Sequence, residues 1–171
     1  MSGMKRPFIL LLTLLPGLAL AVEYLNPDFV EDNTPWEEVA ARLPAYPKDG
    51  NLVPFVASSA TNNKFMIDAA SLSVGKDGVV RYTVVIESPR GARTVNYEGL
   101  RCDTAERKIY AFGQADGKWT ENKRAAWESI KVRSMLSYHK ALFEDIFCDV
   151  GIPVGGAEEA VRKLKQSAGS Y

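Results

Sequence analysis

The sequence predicts an α+β fold: an antiparallel β-meander sheet with a long amphipathic helix packed on one face and short flanking helices. Two observations favour this fold class. Between residues 79 and 112, apolar and polar side chains alternate in three runs separated by turn residues, as in neighbouring antiparallel strands. After Val132 the apolar residues recur every three to four positions, which indicates a helix. Strands grouped before helices are typical of α+β domains.

The three alternating runs predict the meander. The first covers residues 79–87, is rich in β-branched side chains and follows the hairpin-type turn Asp77-Gly78. The second and third cover residues 92–102 and 108–112. On the first strand alternate residues share a face, with Val80, Tyr82, Val84 and Ile86 on one side and Arg81, Thr83 and Glu87 on the other.

Shorter strands are predicted on either side of the meander. Residues 52–57 form an edge strand or a strand entry, because Pro54 cannot donate a ladder hydrogen bond. Residues 65–67 and 72–74 are interpreted as two further short strands, and Trp119 lies in a final short strand.

Helices are predicted at three places. Thr34, Pro35 and Glu37 have capping-box spacing, so a short helix should follow them and end at Pro44. A last helix, at about residues 156–165, has acidic residues first and basic residues last, which suits the helix dipole. The long helix is predicted from an apolar stripe made of Val132, Met135, Leu136, His139, Leu142, Phe143 and Ile146.

The first 21 residues are interpreted as a secretory signal peptide. Lys5 and Arg6 precede an uncharged run at residues 8–21, and Ala19 and Ala21 provide the small residues that signal peptidase accepts, so cleavage is expected before Val22. The run is too short, and too interrupted by proline and glycine, for a spanning helix. We therefore expect no membrane anchor after signal cleavage.

Composition narrows the possible classes further. The chain has 171 residues, 46% of them hydrophobic, with 21 basic and 21 acidic residues. A chain of this size and composition can bury a core, which argues against wholesale disorder. The balanced charge gives the chain no net attraction to nucleic acid or to an anionic membrane. We expect an N-terminal arm at residues 22–33, one α+β domain at 34–153, and a C-terminal helix and tail at 154–171.

The two cysteines, Cys102 and Cys148, lie in the predicted mature chain, 46 positions apart. In an exported protein, an even number of cysteines favours a disulfide, here between the second meander strand and the end of the long helix. The alternative is a pair of buried free thiols.

Several segments resemble the cryptic neisserial protein 1-like family. They are residues 78–102 (GVVRYTVVIESPRGARTVNYEGLRC), residues 106–113 (ERKIYAFG), Trp119, Trp127 and residues 138–148. The resemblance covers about residues 34–153. It implies an exported protein of the proteobacterial envelope, hence a periplasmic location in a Gram-negative bacterium. The family has no established activity, so the resemblance brings no catalytic residues with it.

Residue types that support catalysis or metal binding are sparse. His139 is the only histidine and lies on an apolar helix stripe, where a core or boundary role is commoner than a catalytic one. No zinc, nucleotide or EF-hand motif occurs, and the acidic residues Glu144, Asp145 and Asp149 are interpreted as a solvated face. We predict no catalytic residues, no metal site and no cofactor.

A pair of carboxylates provides the enzymatic alternative. Glu87 and Glu98 lie on neighbouring predicted strands, and glycosidases use two carboxyl groups. Arginines crowd the same hairpin, however, so cross-strand ion pairs on a solvent-exposed face are the preferred interpretation.

Aromatic and arginine side chains give the best candidate binding surface, because such patches are common in protein interfaces. The alternative is that these rings only build the core. The candidate binding residues are Tyr97, Arg101, Tyr110, Trp119 and Trp127.

The leading functional hypothesis is a non-catalytic binding or assembly module of the bacterial envelope, whose partner is an envelope protein or a glycan. The alternative is a small cell-wall or glycan hydrolase that uses carboxylates such as Glu98. A third hypothesis is a purely structural envelope protein. Nucleic acid is not expected as a partner.

Overall fold

The computed structural model describes residues 34–58, 60–130 and 137–168. Within them, a seven-stranded antiparallel sheet has the strand order β1 to β6, with β7 also pairing with β5. The predicted signal peptide and N-terminal arm lie outside the described residues. The strands are β1 (Leu52–Phe55), β2 (Lys64–Val74), β3 (Val79–Glu87), β4 (Arg93–Arg101), β5 (Glu106–Gly113), β6 (Trp119–Glu121) and β7 (Glu128–Ser129).

The meander prediction is confirmed, and β3 has the predicted bounds. Residues 64–74, however, form one strand and not two. Asp68 pairs with Thr83 and Ser73 with Arg81, so a bulge between Asp68 and Ser73 absorbs the extra residues. The Ser71 hydroxyl donates to the Asp68 carbonyl at 2.8 Å, which satisfies a backbone group that the ladder loses there.

The helices differ from their prediction. Helix α1 (Tyr138–Ala141) continues as a π-helix (Leu142–Phe147), so the described helix is much shorter than the predicted stripe. The stripe positions at 132, 135 and 136 lie outside the described residues. The helix ends at Phe147 because the next residue enters a small hairpin. That hairpin pairs β8 (Cys148–Asp149) with β9 (Ile152–Pro153), and helix α2 (Ala157–Ala168) follows it.

The disulfide prediction is confirmed. Cys102, directly after β4, is bonded to Cys148, with 5.5 Å between the two Cα atoms. Both cysteines are buried. The bond therefore attaches the end of the helical segment to the central part of the sheet.

The core lies between one face of the sheet and the helices. It contains Val80, Tyr82 and Val84 from β3, as the alternation predicts, and Leu164 from α2. Helix α2 packs against β1, β2 and the π-helix, so its apolar face completes this core. The remaining fully buried side chains of the cluster include Ile67, Leu100, Leu142, Ile146, Phe147 and Ala160.

The opposite face of the sheet is partly covered by residues 36–48, which we call the strap. The prediction of a helix here is wrong, because the strap has no regular secondary structure. The Val39 N–H donates to the Asp77 carboxylate at 2.8 Å, and the Val39 carbonyl accepts from Arg81 at 2.7 Å. Backbone groups that a helix would use internally are therefore bonded to the sheet. The same contact explains why Arg81 is buried although it faces away from the core.

Candidate functional site

The first part of the strap is fixed by an ion pair at the start of β3. Arg81 and Asp77 approach to 2.6 Å, and both side chains are almost inaccessible to solvent. The Trp36 indole N–H donates to the Asp77 carbonyl at 2.9 Å. Burial raises the pKa of Asp77, but the hydrogen bonds from Arg81 and Val39 and the charge of Arg81 outweigh it, so this pKa lies below its ordinary value.

Glu38 is the polar centre of the strap contact. Its carboxylate accepts hydrogen bonds from Lys108 at 2.7 Å, from the Tyr110 hydroxyl at 2.9 Å and from the Trp127 indole at 3.1 Å. Burial raises the pKa of Glu38, but these bonds and the charge of Lys108 more than compensate, so the group is held ionised. Burial and the neighbouring carboxylate raise the pKa of Tyr110, which keeps its hydroxyl protonated as a donor.

Arg101 lies against two indole rings beside this centre. Its guanidinium carbon is 3.7 Å from the centroid of the Trp36 ring and 5.9 Å from that of Trp127. The same guanidinium makes two hydrogen bonds to Asp103, at 2.7 and 3.2 Å. Cation–π contacts and the bidentate bond together fix the planar group, so Arg101 orients Trp36 at the edge of the strap.

The far end of the strap is held by aromatic contacts. The Trp119 indole N–H donates to the Pro44 carbonyl at 2.9 Å, and the Tyr46 ring lies 5.4 Å from the Trp119 ring. Tyr97 joins the two ends, since its ring centroid is 6.3 Å from Trp119 and 5.4 Å from Tyr110. The structure therefore brings the five predicted binding residues together on the strap side of the sheet.

The sequence prediction missed the reason for this grouping. Four of the five residues contact the strap directly, through Trp36, Glu38, Pro44 and Tyr46, and these strap residues belong to a segment predicted as a helix or a turn. A signal was available: an acidic residue near a tryptophan at the start of the domain could pair with the basic and aromatic residues of β4 and β5.

A groove of about 380 Å³ remains open between the strap and β5–β6. Its walls combine small or apolar side chains with polar and charged ones, and Leu43 is 40% exposed there. Of the predicted binding residues, only Tyr110 lines it. The groove is lined by Glu38, Ala40, Ala41, Leu43, Lys108, Tyr110, Glu121, Asn122 and Ala125, and Glu38 and Lys108 are paired with each other.

On the core side of the sheet, Glu98 forms a buried polar network. The prediction that it lies on a solvent face is wrong, because Glu98 is 0% exposed. One carboxylate oxygen accepts from Tyr138 at 2.7 Å and Asn96 at 3.1 Å. The other accepts from Tyr82 at 3.1 Å and lies 2.8 Å from Nε2 of His139. Four partners therefore compensate the burial of this charge.

This network does not suit a glycosidase acid. Burial raises the pKa of Glu98, but the hydrogen bond and charge of His139, with the bonds from Tyr138 and Asn96, lower it overall, whereas a general acid needs a raised pKa. Glu87 pairs in register with Arg93, whereas Glu98 pairs with Tyr82, five positions away along β3. That offset is about 17 Å, far beyond the spacing of paired glycosidase carboxylates. The geometry gives the hydrolase alternative no support.

His139 is buried beside Glu98, where its ring also lies 3.9 Å from that of Tyr138. Among the described residues, no group of three or more histidine, cysteine or acidic side chains is arranged to hold a metal ion. Within the same residues, no helix has both the length and the apolar character needed to cross a bilayer.

Comparison with known proteins identifies the family. The model of the CNP1-like family matches residues 31–165, which include the sheet, the strap and most of α2. The chain is 26% identical to cryptic neisserial protein 1 of Neisseria gonorrhoeae (strain ATCC 700825 / FA 1090) over 196 aligned positions, covering 98% of this chain and 96% of that relative. No solved structure matches. The chain therefore belongs to the CNP1-like family.

Proposed function

We propose that the protein is an exported, periplasmic and non-catalytic binding or assembly module of the bacterial cell envelope. Three features support export: the signal-like residues 1–21, the buried Cys102–Cys148 disulfide and the neisserial relative. Disulfides of this kind form in oxidising compartments such as the periplasm. The partner is an envelope protein or a glycan.

The groove beside the strap is the single observation that carries the binding role. Its volume of about 380 Å³ lies within the range of ligand-binding clefts. Its walls are formed by strap residues on one side and by the sheet on the other, and its apolar side chains, such as Leu43 and Ala125, remain accessible. A side chain of a peptide in extended conformation, or a sugar ring, can bury apolar surface in the groove without opening the core.

The charges in the groove favour binding over catalysis. Glu38 is bonded to three donors and its pKa is lowered, so it is a poor proton donor near neutral pH. Lys108 is neutralised by the same carboxylate, with 2.7 Å between Nζ and the nearer oxygen. The groove therefore offers a mixed surface: Glu38 and Lys108 are engaged with each other, whereas the Glu121 side chain is exposed and can contact a partner.

The test fills the groove without disturbing the strap contacts. Arg101 and Trp119 are poor targets, because both hold the strap. Ala125→Trp places a ring in the groove, and Ala92→Trp adds the same ring to the exposed β3–β4 turn as a matched control. Each variant would be expressed as the full chain in the bacterium that naturally produces the protein and crosslinked in the living cells. The protein would then be purified and the material bound to it identified by mass spectrometry.

We expect the wild type and Ala92→Trp to retain one stoichiometric envelope partner. In Ala125→Trp the amount of partner recovered should fall at least about tenfold, at an unchanged melting temperature. Recovery of the wild-type monomer alone would refute the binding role. Full retention of the partner by Ala125→Trp would show that the partner binds outside the groove.

A further inference from the structure

The strap has unpaired backbone groups beside the groove. Residues 34–48 run without a helix, turn or bend, so the chain is extended there. The backbone N–H and C=O groups of residues 40–43 make no hydrogen bond to any other described residue, although Ala40, Ala41 and Leu43 line the groove. All but Ala41 are exposed. An extended run with unpaired backbone groups is a template for pairing with a further strand.

The neighbouring hydrogen bonds show which of these backbone groups face the groove. The Val39 N–H and C=O are bonded to Asp77 and Arg81, on the side of β3. The Pro44 C=O accepts instead from Trp119 of β6, the strand that borders the groove. Backbone groups of successive residues in an extended chain point to opposite sides, so odd-numbered residues face β3 and even-numbered residues face the groove. The residues on the groove side are Ala40, Arg42 and Pro44.

The β6 strand presents a second row of unpaired backbone groups to the groove. The Gln114 N–H donates to the Lys118 C=O at 2.8 Å. The Asn122 N–H donates to the Tyr110 C=O, also at 2.8 Å. Bonded positions alternate in an antiparallel pair, so the backbone groups of Glu121 point away from β5, and no other described residue bonds to them. Glu121 lines the groove, which is therefore bordered by backbone donors and acceptors on both the strap and β6.

The polar side chains of the groove are mostly bonded within the protein. Lys108 and Tyr110 both donate to Glu38. The Asn122 side chain is bonded to backbone groups at 3.0 and 3.1 Å. Among the described polar side chains of the lining, only Glu121 has no hydrogen bond or ion pair. A glycan needs several free polar side chains for its hydroxyl groups, whereas an extended peptide is bound through backbone groups, so the groove suits a peptide.

Charge does not select the partner, because exposed groups of both signs lie in or beside the segments that line the groove. They are Glu37, Arg42, Glu121, Lys123 and Arg124. The small side chains of Ala40 and Ala41 allow a second backbone to approach the strap to the spacing of neighbouring strands. Selection therefore depends on backbone pairing and on the side chains that fit between the strap and β6.

We propose that the groove binds an extended segment of another envelope protein, which pairs as an added β-strand with the backbone of Ala40 and Arg42. This inference rests on the proposed binding function of the groove and specifies the partner as a polypeptide and not a glycan. Alternate side chains of the added segment contact Leu43 and Ala125, which gives a sequence preference in addition to the backbone bonds.

The experiment compares two proline substitutions at adjacent positions of the same extended run. Ala40→Pro removes an N–H on the groove side, and Ala41→Pro removes one on the β3 side, while both positions line the groove and receive the same ring. Neither N–H is bonded to another described residue, so both variants should keep the melting temperature of the wild type.

The probe is a peptide identified by crosslinking from the groove. The photocrosslinking residue benzoylphenylalanine replaces Glu121 in the full chain, in the bacterium that naturally produces the protein. The segment to which it crosslinks is mapped by mass spectrometry and synthesised. Its affinity is measured for the wild type and both proline variants, and the N-acetylglucosamine tetramer is measured in parallel as the glycan.

Amide hydrogen exchange of the wild type provides a second readout that needs no substitution. Addition of the peptide should slow exchange of the Ala40 and Arg42 amide protons and leave that of Ala41 unchanged. This measurement decides the question if a proline variant proves to be unfolded.

We expect the affinity for the peptide to fall at least about fivefold in Ala40→Pro and less than about twofold in Ala41→Pro. Equal losses in the two variants, unchanged exchange at Ala40 and Arg42, or a crosslink only to a glycan or to a second copy of this chain would overturn the proposal. Binding of a glycan that is lost in Ala125→Trp would overturn it too, but would leave the proposed function intact. Recovery of the wild-type monomer alone refutes the proposed function itself.

Discussion

The substitution Glu98→Gln tests whether the buried network contributes to stability as its geometry implies. Each carboxylate oxygen of Glu98 has two partners, at distances between 2.7 and 3.1 Å. Glutamine removes the charge and replaces one oxygen with an NH₂ group, so two of the four partners lose the oxygen that they contact. Hydrogen bonds to a charged group are worth about 1.5–3 kcal/mol each. With two of them lost, we expect Glu98→Gln to lower the free energy of unfolding by about 3–6 kcal/mol at neutral pH.

Urea unfolding, followed by circular dichroism and tryptophan fluorescence, measures this loss. The matched control is Glu87→Gln on the neighbouring strand, where the carboxylate forms only a partly exposed pair with Lys64 at 3.2 Å. The control should change stability by less than about 1 kcal/mol. A loss below about 1 kcal/mol in Glu98→Gln would refute the stabilising role of the network.

The pH dependence gives an independent check. The pKa of Glu98 in the folded protein lies below its ordinary value of 4.5, so its contribution is complete above that value. As the pH falls further, toward the folded-state pKa, protonation removes the contribution. The stability gap between the wild type and Glu98→Gln should therefore narrow below about pH 4.5, and a gap that stays constant down to strongly acidic pH would contradict the assignment.

Three further predictions concern the disulfide, the packing of β4 against β5, and the strap. Cys102→Ser should lower the free energy of unfolding by about 2–5 kcal/mol in thermal or urea unfolding, and reductant should then have no further effect. Gly99→Ala should lower the free energy of unfolding by about 1–3 kcal/mol, because the added Cβ would lie 2.5 Å from the hydroxyl oxygen of Tyr110 on β5. Gly50→Ala, with no atom within 4 Å of the added carbon, should be nearly neutral. Glu38→Gln should cost about 1.5–3 kcal/mol at neutral pH, less under acid, and should speed limited proteolysis of the strap; unchanged proteolysis would argue against this anchor.

The meander was predictable because its signals are local. Asp77 and Gly78 specify a turn, and the alternation that follows determines the bounds of β3 without reference to distant residues. The disulfide followed from the cysteine count and the export signal. The last helix was predicted within a few residues by the order of its charges.

The strap and the buried carboxylate required long-range information. The local periodicity of residues 36–43 suits a helix, but the Val39 backbone bonds to Asp77 and Arg81, about forty residues away. Glu98 resembles its charged neighbours in sequence, and only the packing of Tyr138 and His139 shows that it is enclosed. The candidate binding residues were found by residue type, yet their shared contact with the strap depends on the three-dimensional fold.

The strap also has a consequence for the order of folding. A ribosome produces residues 36–48 before β4, β5 and β6, but the strap needs Lys108 and Trp119 as partners, which are about seventy residues away. Contacts of such separation form late, because a long loop must close before they gain any free energy. The earliest described part of the chain is therefore among the last to become ordered. Until then Tyr110, Trp119 and Trp127 lack their strap partners, and a chaperone that binds aromatic surface would recognise the nascent protein on this side of the sheet.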